Sequence, residues 1–272
     1  MSVSQKKTII VFKNGQRTAL DQALIVEEPL SIRIEGQPYA VVMRTPGDEI
    51  AHIAGFCLSE GLIDTPKHLG TIGFCSEAGT NVATVTLTGE QKKRVAALLD
   101  RKGFVSQTSC GICGKELVED LHQITTPVET TLRLSAEEAL RCAGRLPDCQ
   151  PIHQQTRSAH AAMIFDKNSV LLAAAEDVGR HNALDKTIGK ILMDGRIKTA
   201  AFGVMSSRLS YELIQKAARA GLELMIGVSR PTSLAVDLAR SVNMTLACAR
   251  GNELMVFCGE ERLTASNLNT KG

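Results

Sequence analysis

The 272-residue chain carries 31 Lys and Arg against 29 Asp and Glu, with 44% hydrophobic and 22% charged residues. This is ordinary globular composition, and it excludes a disordered or strongly polyionic chain. Only 3% of residues are aromatic and Trp is absent, so a nucleic-acid platform of stacked rings is not expected.

No stretch approaches the roughly 20 apolar residues of a membrane helix. Lys6 and Lys7 are followed by no sustained apolar run, so neither a membrane span nor a signal peptide is read, and the expected location is the cytoplasm. In the reducing cytosol the eight cysteines are expected as thiols. Cys57, Cys75, Cys248 and Cys258 sit in apolar runs and read as small buried residues.

Strands are expected at 7–12, 23–27, 30–35 and 39–44, punctuated by Asn14-Gly15, Pro29 and the turn at 36–38. Asp48 is placed to cap a helix running to about Glu60, with Ile50, Ile53, Ala54 and Cys57 as its apolar stripe and Gly61 as its stop. Strands at 71–75 and 82–87 and a helix over 90–100 complete a β-rich first region, 1–104. The stretch 101–116, RKGFVSQTSCGICGKE, lacks helical periodicity and reads as a loop presenting Cys110 and Cys113. We bound this loop at 105–118 and the following region at 119–272.

From Ser135 the rhythm changes. Ser135 and Glu138 form a capping box for a helix through Leu146. A hairpin of strands 159–165 and 170–175 follows, then helix 182–193, strand 199–205, helix 209–220, strand 222–228 and helix 233–242. Strands at 244–249 and 253–258 close the chain. Strand–helix alternation with continuous apolar strands predicts a three-layer α/β domain with a mixed sheet, α+β overall with the first region.

Two thiols three residues apart, Cys110 and Cys113, suit half a zinc knuckle, a redox pair or sulfur carriage, and the loop alone does not separate these. No second CxxC is present, and Cys142 and Cys149 are poorly spaced to complete a metal site, so none is assigned. Six ionisable residues crowd the junction Glu176-Asp177-Val178-Gly179-Arg180-His181-Asn182-Ala183-Leu184-Asp185-Lys186, where a strand passes through a glycine turn into a helix. His181 and Asp185 would share one helix face and Asn182 and Lys186 another. Arg180 and Lys186 are placed to hold phosphates, and His181 to move protons. Ser206-Ser207-Arg208 and the 229–233 turn with Thr232 follow two later strands, and such turns bind anions when helix N-terminal amides are added. N-capping is the commoner use of those hydroxyls. His160 opens a strand. Ala249-Arg250-Gly251-Asn252 reads as a hairpin turn whose Gly251 lets backbone approach a ligand. If their strands are parallel, these turns build one anion-lined crevice.

In this order the stretches GFCLSEGLI (55–63), SCGICGKE (109–116), TRSAHAA (156–162), EDVGRHNALDKTIG (176–189), SSRLSYELIQKAARAG (206–221) and PTSLAVDLA (231–239) resemble the formate dehydrogenase accessory sulfurtransferase family, the FdhD type. The resemblance spans 20–258. It implies a cytidine-deaminase-like α/β domain, a smaller β-rich N-terminal domain and a mobile CxxC loop. It further implies that a cysteine desulfurase loads sulfur on Cys110 as a persulfide, with Cys113 assisting. The sulfur passes to molybdenum bis(molybdopterin guanine dinucleotide), which matures apo formate dehydrogenase. By the same resemblance the crevice binds the cofactor and GDP-like nucleotides, and the protein is a homodimer.

Two departures stand out. Thr156-Arg157-Ser158-Ala159-His160 replaces a Gly-containing turn, which invites Arg157 to contact phosphate, and Ala249 stands where Phe is common. Two alternatives come from other classes. A non-catalytic cofactor carrier would not need Cys110. A zinc deaminase would need an H-x-E motif before P-C-x-x-C, and His160 is followed by Ala161-Ala162.

Overall fold

The computed structural model describes residues 2–77, 80–101 and 125–264, and Cys110 and Cys113 lie outside the described residues. β1 (Ser4–Lys13) and β2 (Gln16–Ile25) form an antiparallel hairpin. Asn14 and Gly15, both at positive φ, make its tight turn.

A four-stranded sheet follows in the order β4-β3-β6-β5, built from β3 (Glu28–Ile34), β4 (Gln37–Arg44), β5 (Leu69–Glu77) and β6 (Thr80–Leu87). β3 and β6 are parallel and the outer pairs antiparallel. Alternation sets the buried face: Leu30, Ile32 and Ile34 have no exposed surface. Each such side chain contributes about 1.5–3 kcal/mol by leaving water. Cys75, expected inside, is exposed on the edge strand β5 because that strand is flanked on one side only. Helices α1 (Glu49–Ser59) and α2 (Gly89–Arg101) accompany this sheet.

β7 (Leu134–Ser135) leads into α3 (Ala136–Gly144). Ser135 Oγ accepts from the Glu138 amide at 3.0 Å, as the capping pattern predicts. The helix stops two residues before the expected end, and a 3-10 turn, Leu146–Cys149, leads into the short α4 (Pro151–Thr156), where the sequence suggests no element.

The second sheet has six strands in the order β13-β12-β11-β10-β8-β9. They are β8 (His160–Asp166), β9 (Leu171–Asp177), β10 (Ala200–Arg208), β11 (Leu224–Ser229), β12 (Thr245–Arg250) and β13 (Glu253–Cys258). β10, β11 and β12 are parallel, while β8 runs against both β9 and β10. The C-terminal ends of β9, β10, β11 and β12 therefore meet at one edge of the sheet. α5 (Arg180–Met193), α6 (Tyr211–Arg219) and α7 (Ser233–Ser241) pack on one face in a core shared with Leu30, Ile32 and Val85 of the first sheet. α3 and Leu146 cover the other face, over Phe165 and Phe202, whose rings stack at 5.0 Å. The whole is a mixed α/β fold, as expected.

α1 and α5 cross backbone to backbone. A Cβ on Gly189 would lie 1.7 Å from the Ala51 carbonyl oxygen, and one on Gly55 would lie 1.9 Å from the Asp185 carbonyl oxygen. Asp48 does not cap α1 with its side chain, as the sequence suggests. It is left-handed (φ 58) and its carboxylate pairs with Lys190 of α5 at 2.8 Å. Cationic side chains also reach the edge strands. Lys190 donates to the Ala174 carbonyl (3.0 Å) and Arg196 to the Leu172 carbonyl (3.1 Å) of β9, and Arg240 donates to Phe257 O of β13 (3.4 Å). Among the described residues no helix is long and apolar enough to cross a membrane.

Candidate functional site

The converging strand ends carry a cleft of about 470 Å³ lined by Leu146, Gln150, His153, Arg157, His160 and Ser206, among others. Val228, near the end of β11, closes one wall. Sequence reasoning singled out His160 and Ser206 and proposed a role for Arg157, and all three line the cleft. Ser206 Oγ accepts from the Ala161 amide at 2.8 Å, which leaves its hydroxyl proton free to donate. Burial, followed by the charges of Arg180, His153 and His181, pushes His160 below its ordinary value, so the ring is neutral at pH 7. His153 lies 2.9 Å from the Ala159 carbonyl through Nδ1. A carbonyl only accepts, so Nδ1 donates in this contact.

The EDVGRHNALDK segment divides its side chains between two tasks. His181 reaches Glu212 Oε2 at 3.0 Å and Ser210 Oγ at 3.4 Å, and that hydrogen bond holds the Glu212 carboxyl below its usual range. Arg180 stands beside them with its Nε buried and unpaired. His181 and Arg180 both act electrostatically on His160 at the cleft wall. Asn182, Asp185 and Lys186 instead make buried contacts with other elements, although the sequence suggests ligand roles for them. Lys186 is 1% exposed, pairs with Asp177 Oδ2 at 2.8 Å and donates to Thr45 O at 2.8 Å. Asp177 also accepts from the amides of Thr45 (3.0 Å) and Gly179 (2.8 Å) and from Asn182 Nδ2 (2.9 Å). Asn182 Nδ2 in turn donates to Met43 O at 2.7 Å. Lys186, expected at a phosphate, is instead buried in contacts that tie the end of β4 to α5.

Asp185 serves the neighbouring crossing, accepting from Ser59 Oγ (2.7 Å) and Lys216 Nζ (2.8 Å). His181 and Asp185 thus share the face toward α6, and Asn182 and Lys186 the face toward β4, as their four-residue spacing implies. Glu176, also expected at the ligand, instead accepts from the amides of Ile152 and His153, 2.7 Å each, and so fixes the start of α4.

The remaining predicted residues lie along the same sheet edge. β10 continues through Ser206, Ser207 and Arg208, so these belong to a strand end and not to a helix N-terminus; α6 begins only at Tyr211. Ser207 is buried with its hydroxyl donating to Arg208 O, and Arg208 is exposed beside Ser229 of β11. Thr232 caps α7 through the Ala235 amide at 3.2 Å, the commoner role for such a hydroxyl. Ala249 and Arg250 end β12, and Gly251 (φ 58) and Asn252 make the turn into β13. Arg208, Arg230 and Arg250 stand at three successive strand ends.

Sequence reasoning passed over Gln150 and His153. The signal was Pro151 at the first position of α4, where proline starts helices readily.

A model of the FdhD/NarQ family matches residues 25–264. The sulfur carrier protein FdhD of Streptomyces coelicolor is 34% identical over 274 residues, covering 96% of each chain. That of Streptomyces avermitilis is 36% identical over 273 residues, again covering 96% of each. A crystal structure of a formate dehydrogenase accessory protein from Desulfotalea psychrophila superposes with a TM-score of 0.77 at 24% identity, over 97% of this chain and 100% of that one. The family stretches at 55–63, 156–162, 176–189 and 206–221 build the helix crossing, the buried pairs and the strand-end cleft, and the chain belongs to the FdhD/NarQ family.

Proposed function

We propose that the chain is a sulfur carrier of the sulfurtransferase type. Cys110 accepts sulfur from a cysteine desulfurase as a persulfide. It passes that sulfur to molybdenum bis(molybdopterin guanine dinucleotide), held as cargo at the strand-end cleft, for apo formate dehydrogenase. The same reading makes the working protein a cytoplasmic homodimer.

The observation that carries the reading is the state of the other thiols. Burial pushes Cys57, Cys142, Cys149, Cys248 and Cys258 up, away from the thiolate that sulfur exchange requires, and Cys75 stands alone on an edge strand. Of eight cysteines this leaves Cys110 and Cys113, paired in a polar stretch between Gly103 and Gly114. A Cys110 thiolate attacks the outer sulfur of the donor's persulfide; the new S–S bond forms on Cys110 and the donor cysteine departs as thiolate. The cleft supports the cargo half. Its Arg157 matches a phosphate group, and neutral His160 and the Ser206 hydroxyl add uncharged polar contacts.

The test is intact-mass analysis after incubation with an active cysteine desulfurase and cysteine. One added sulfur on wild type and none on Cys110→Ala is the expected result. No added sulfur on any variant transfers the cleft to a non-catalytic cofactor carrier and removes the persulfide step.

A further inference from the structure

The hairpin of β1 and β2 stands apart from both larger sheets. No third strand joins it among the described residues, and a two-stranded ribbon on its own is marginal in water. Its base is held where β2 packs on α4 and Ser4 Oγ donates to Gln155 at 3.2 Å. Beyond that base the ribbon projects, and every residue from Phe12 to Asp21 is exposed. Directly opposed residues share a face, so Ile10, Phe12, Arg17 and Ala19 lie together. Phe12, 73% exposed, is the most exposed large apolar side chain among the described residues. The exposed cations Lys6, Lys7, Lys13 and Arg17 are accompanied by a single anion, Asp21, whose carboxylate already accepts from Thr8 Oγ at 2.9 Å. The chain as a whole carries a formal charge of +2, so the hairpin holds all of its positive surplus and the remainder is close to neutral.

We propose that this hairpin is a docking arm for an acidic, partly apolar protein surface, that of the apo-enzyme which receives the cargo. The proposal rests on the delivery role given above and assigns the surface that recognises the receiver. An apolar centre with a charged rim, containing Phe and Arg, is the usual anatomy of a protein interface. Charge selects the occupant. A second copy of the hairpin would bring cation against cation, and lysines on a ribbon edge oppose pairing with their own kind. The rest of a second copy offers no compensating net charge. An acidic partner is attracted within a Debye length of about 8–10 Å and fixed in register. Position selects the receiver. His153 of α4 lines the cleft while Gln155, two residues on, bonds to the hairpin, so a protein seated on the arm stands beside the cargo. The matched family segment, 25–264, begins at the last residue of the hairpin, so the arm adds to that shared core.

The experiment measures binding of purified apo formate dehydrogenase to the immobilised full chain by surface plasmon resonance. Wild type is compared with Lys13→Gln/Arg17→Gln and with Phe12→Thr/Lys13→Glu/Arg17→Glu, since threonine keeps strand preference and removes the ring. Sulfur loading by a cysteine desulfurase, sedimentation and thermal unfolding are read on the same proteins. The expected result is wild-type binding that falls with added salt, weakened about 10- to 100-fold in the triple variant and less in the double one. Loading, oligomeric state and unfolding midpoint stay unchanged. Equal affinity in all three proteins overturns the proposal and leaves the carrier reading in place, as does absence of binding by a wild type that loads sulfur. A variant that loses self-association makes the hairpin a contact between copies, and one that loses sulfur loading gives it to the donor; either overturns the proposal. A loss confined to the triple variant, with a lowered midpoint, marks a structural hairpin and overturns it too. No sulfur on wild type, with enzyme binding lost in the variants, removes the carrier reading and keeps the arm.

Discussion

Gly189→Ala sets two effects of opposite sign against each other. Within a helix, alanine is favoured over glycine by about 1 kcal/mol, so local propensity alone predicts a more stable protein. The crossing of α1 and α5 predicts the reverse. The new Cβ would lie 1.7 Å from the Ala51 carbonyl oxygen, 2.5 Å from its carbon and 3.0 Å from its Cα, all backbone atoms that no rotamer change can move aside. Ordinary carbon contacts need about 3.5 Å, so the helices must separate by well over an ångström, opening the core around Ile53, Ala54 and Ile188. Overpacking of this kind costs about 1–3 kcal/mol and more where backbone must shift. The net expectation is a loss of about 2–4 kcal/mol, or roughly 5–15 °C in Tm for a chain of this size.

Urea unfolding followed by circular dichroism measures it. Gly144→Ala serves as control, since a Cβ there meets nothing within 4 Å at the end of α3; it should gain a few tenths to 1 kcal/mol. Gly55→Ala probes the same crossing, 1.9 Å from the Asp185 carbonyl oxygen, and the double variant should lose less than the sum because the helices are already parted. A Gly189→Ala protein at least as stable as wild type would refute the close crossing and, with it, the placement of Asp185 beside Ser59.

Two further perturbations address the buried charges. Lys186→Met leaves Asp177 buried with three remaining donors and should cost about 3 kcal/mol in urea unfolding; adding Asp177→Asn should restore part of it. His52, with no exposed surface, is held well below its ordinary pKa of 6.5 by burial and then by Lys186, Lys216 and Arg44. As pH falls below 6.5 the unfolded chain takes up this proton and the folded chain does not. Stability therefore drops by up to about 1.4 kcal/mol per pH unit from this residue, and His52→Leu should flatten the curve between pH 6.5 and 5 by that slope.

The strands were legible wherever one face is buried. Leu30, Ile32 and Ile34 alternate with polar neighbours, and the later apolar runs mark β8, β10 and β11 because both faces of that sheet are covered. β2 escaped over residues 16–22 because that part of the hairpin turns little surface to the core, so no alternation is written into QRTALDQ. At the site, residue type announced a cluster of charges in EDVGRHNALDK without revealing its orientation. A four-residue spacing assigns residues to a common helix face; it does not say whether that face meets a ligand or another helix. Lys186 and Asp185 read equally well as ligand groups until Thr45 and Lys216 are seen beside them. Arg262, which pairs with Glu223 at 3.1 Å and donates to Glu129 and Asn243 carbonyls, gave no signal, since its partners are distant in sequence.

The cationic tips on β9 and β13 bear on how the larger sheet ends. Leu172 and Ala174 lie two residues apart on β9 and so present their carbonyls in the same direction, and Arg196 and Lys190 already occupy both. Arg240 does the same for Phe257 on the opposite border. A strand arriving from another molecule would have to evict a hydrogen-bonded ammonium or guanidinium before making its first backbone bond. The sheet is thus closed to growth at six strands without a covering helix, and any assembly of two copies is steered toward other surfaces of the molecule.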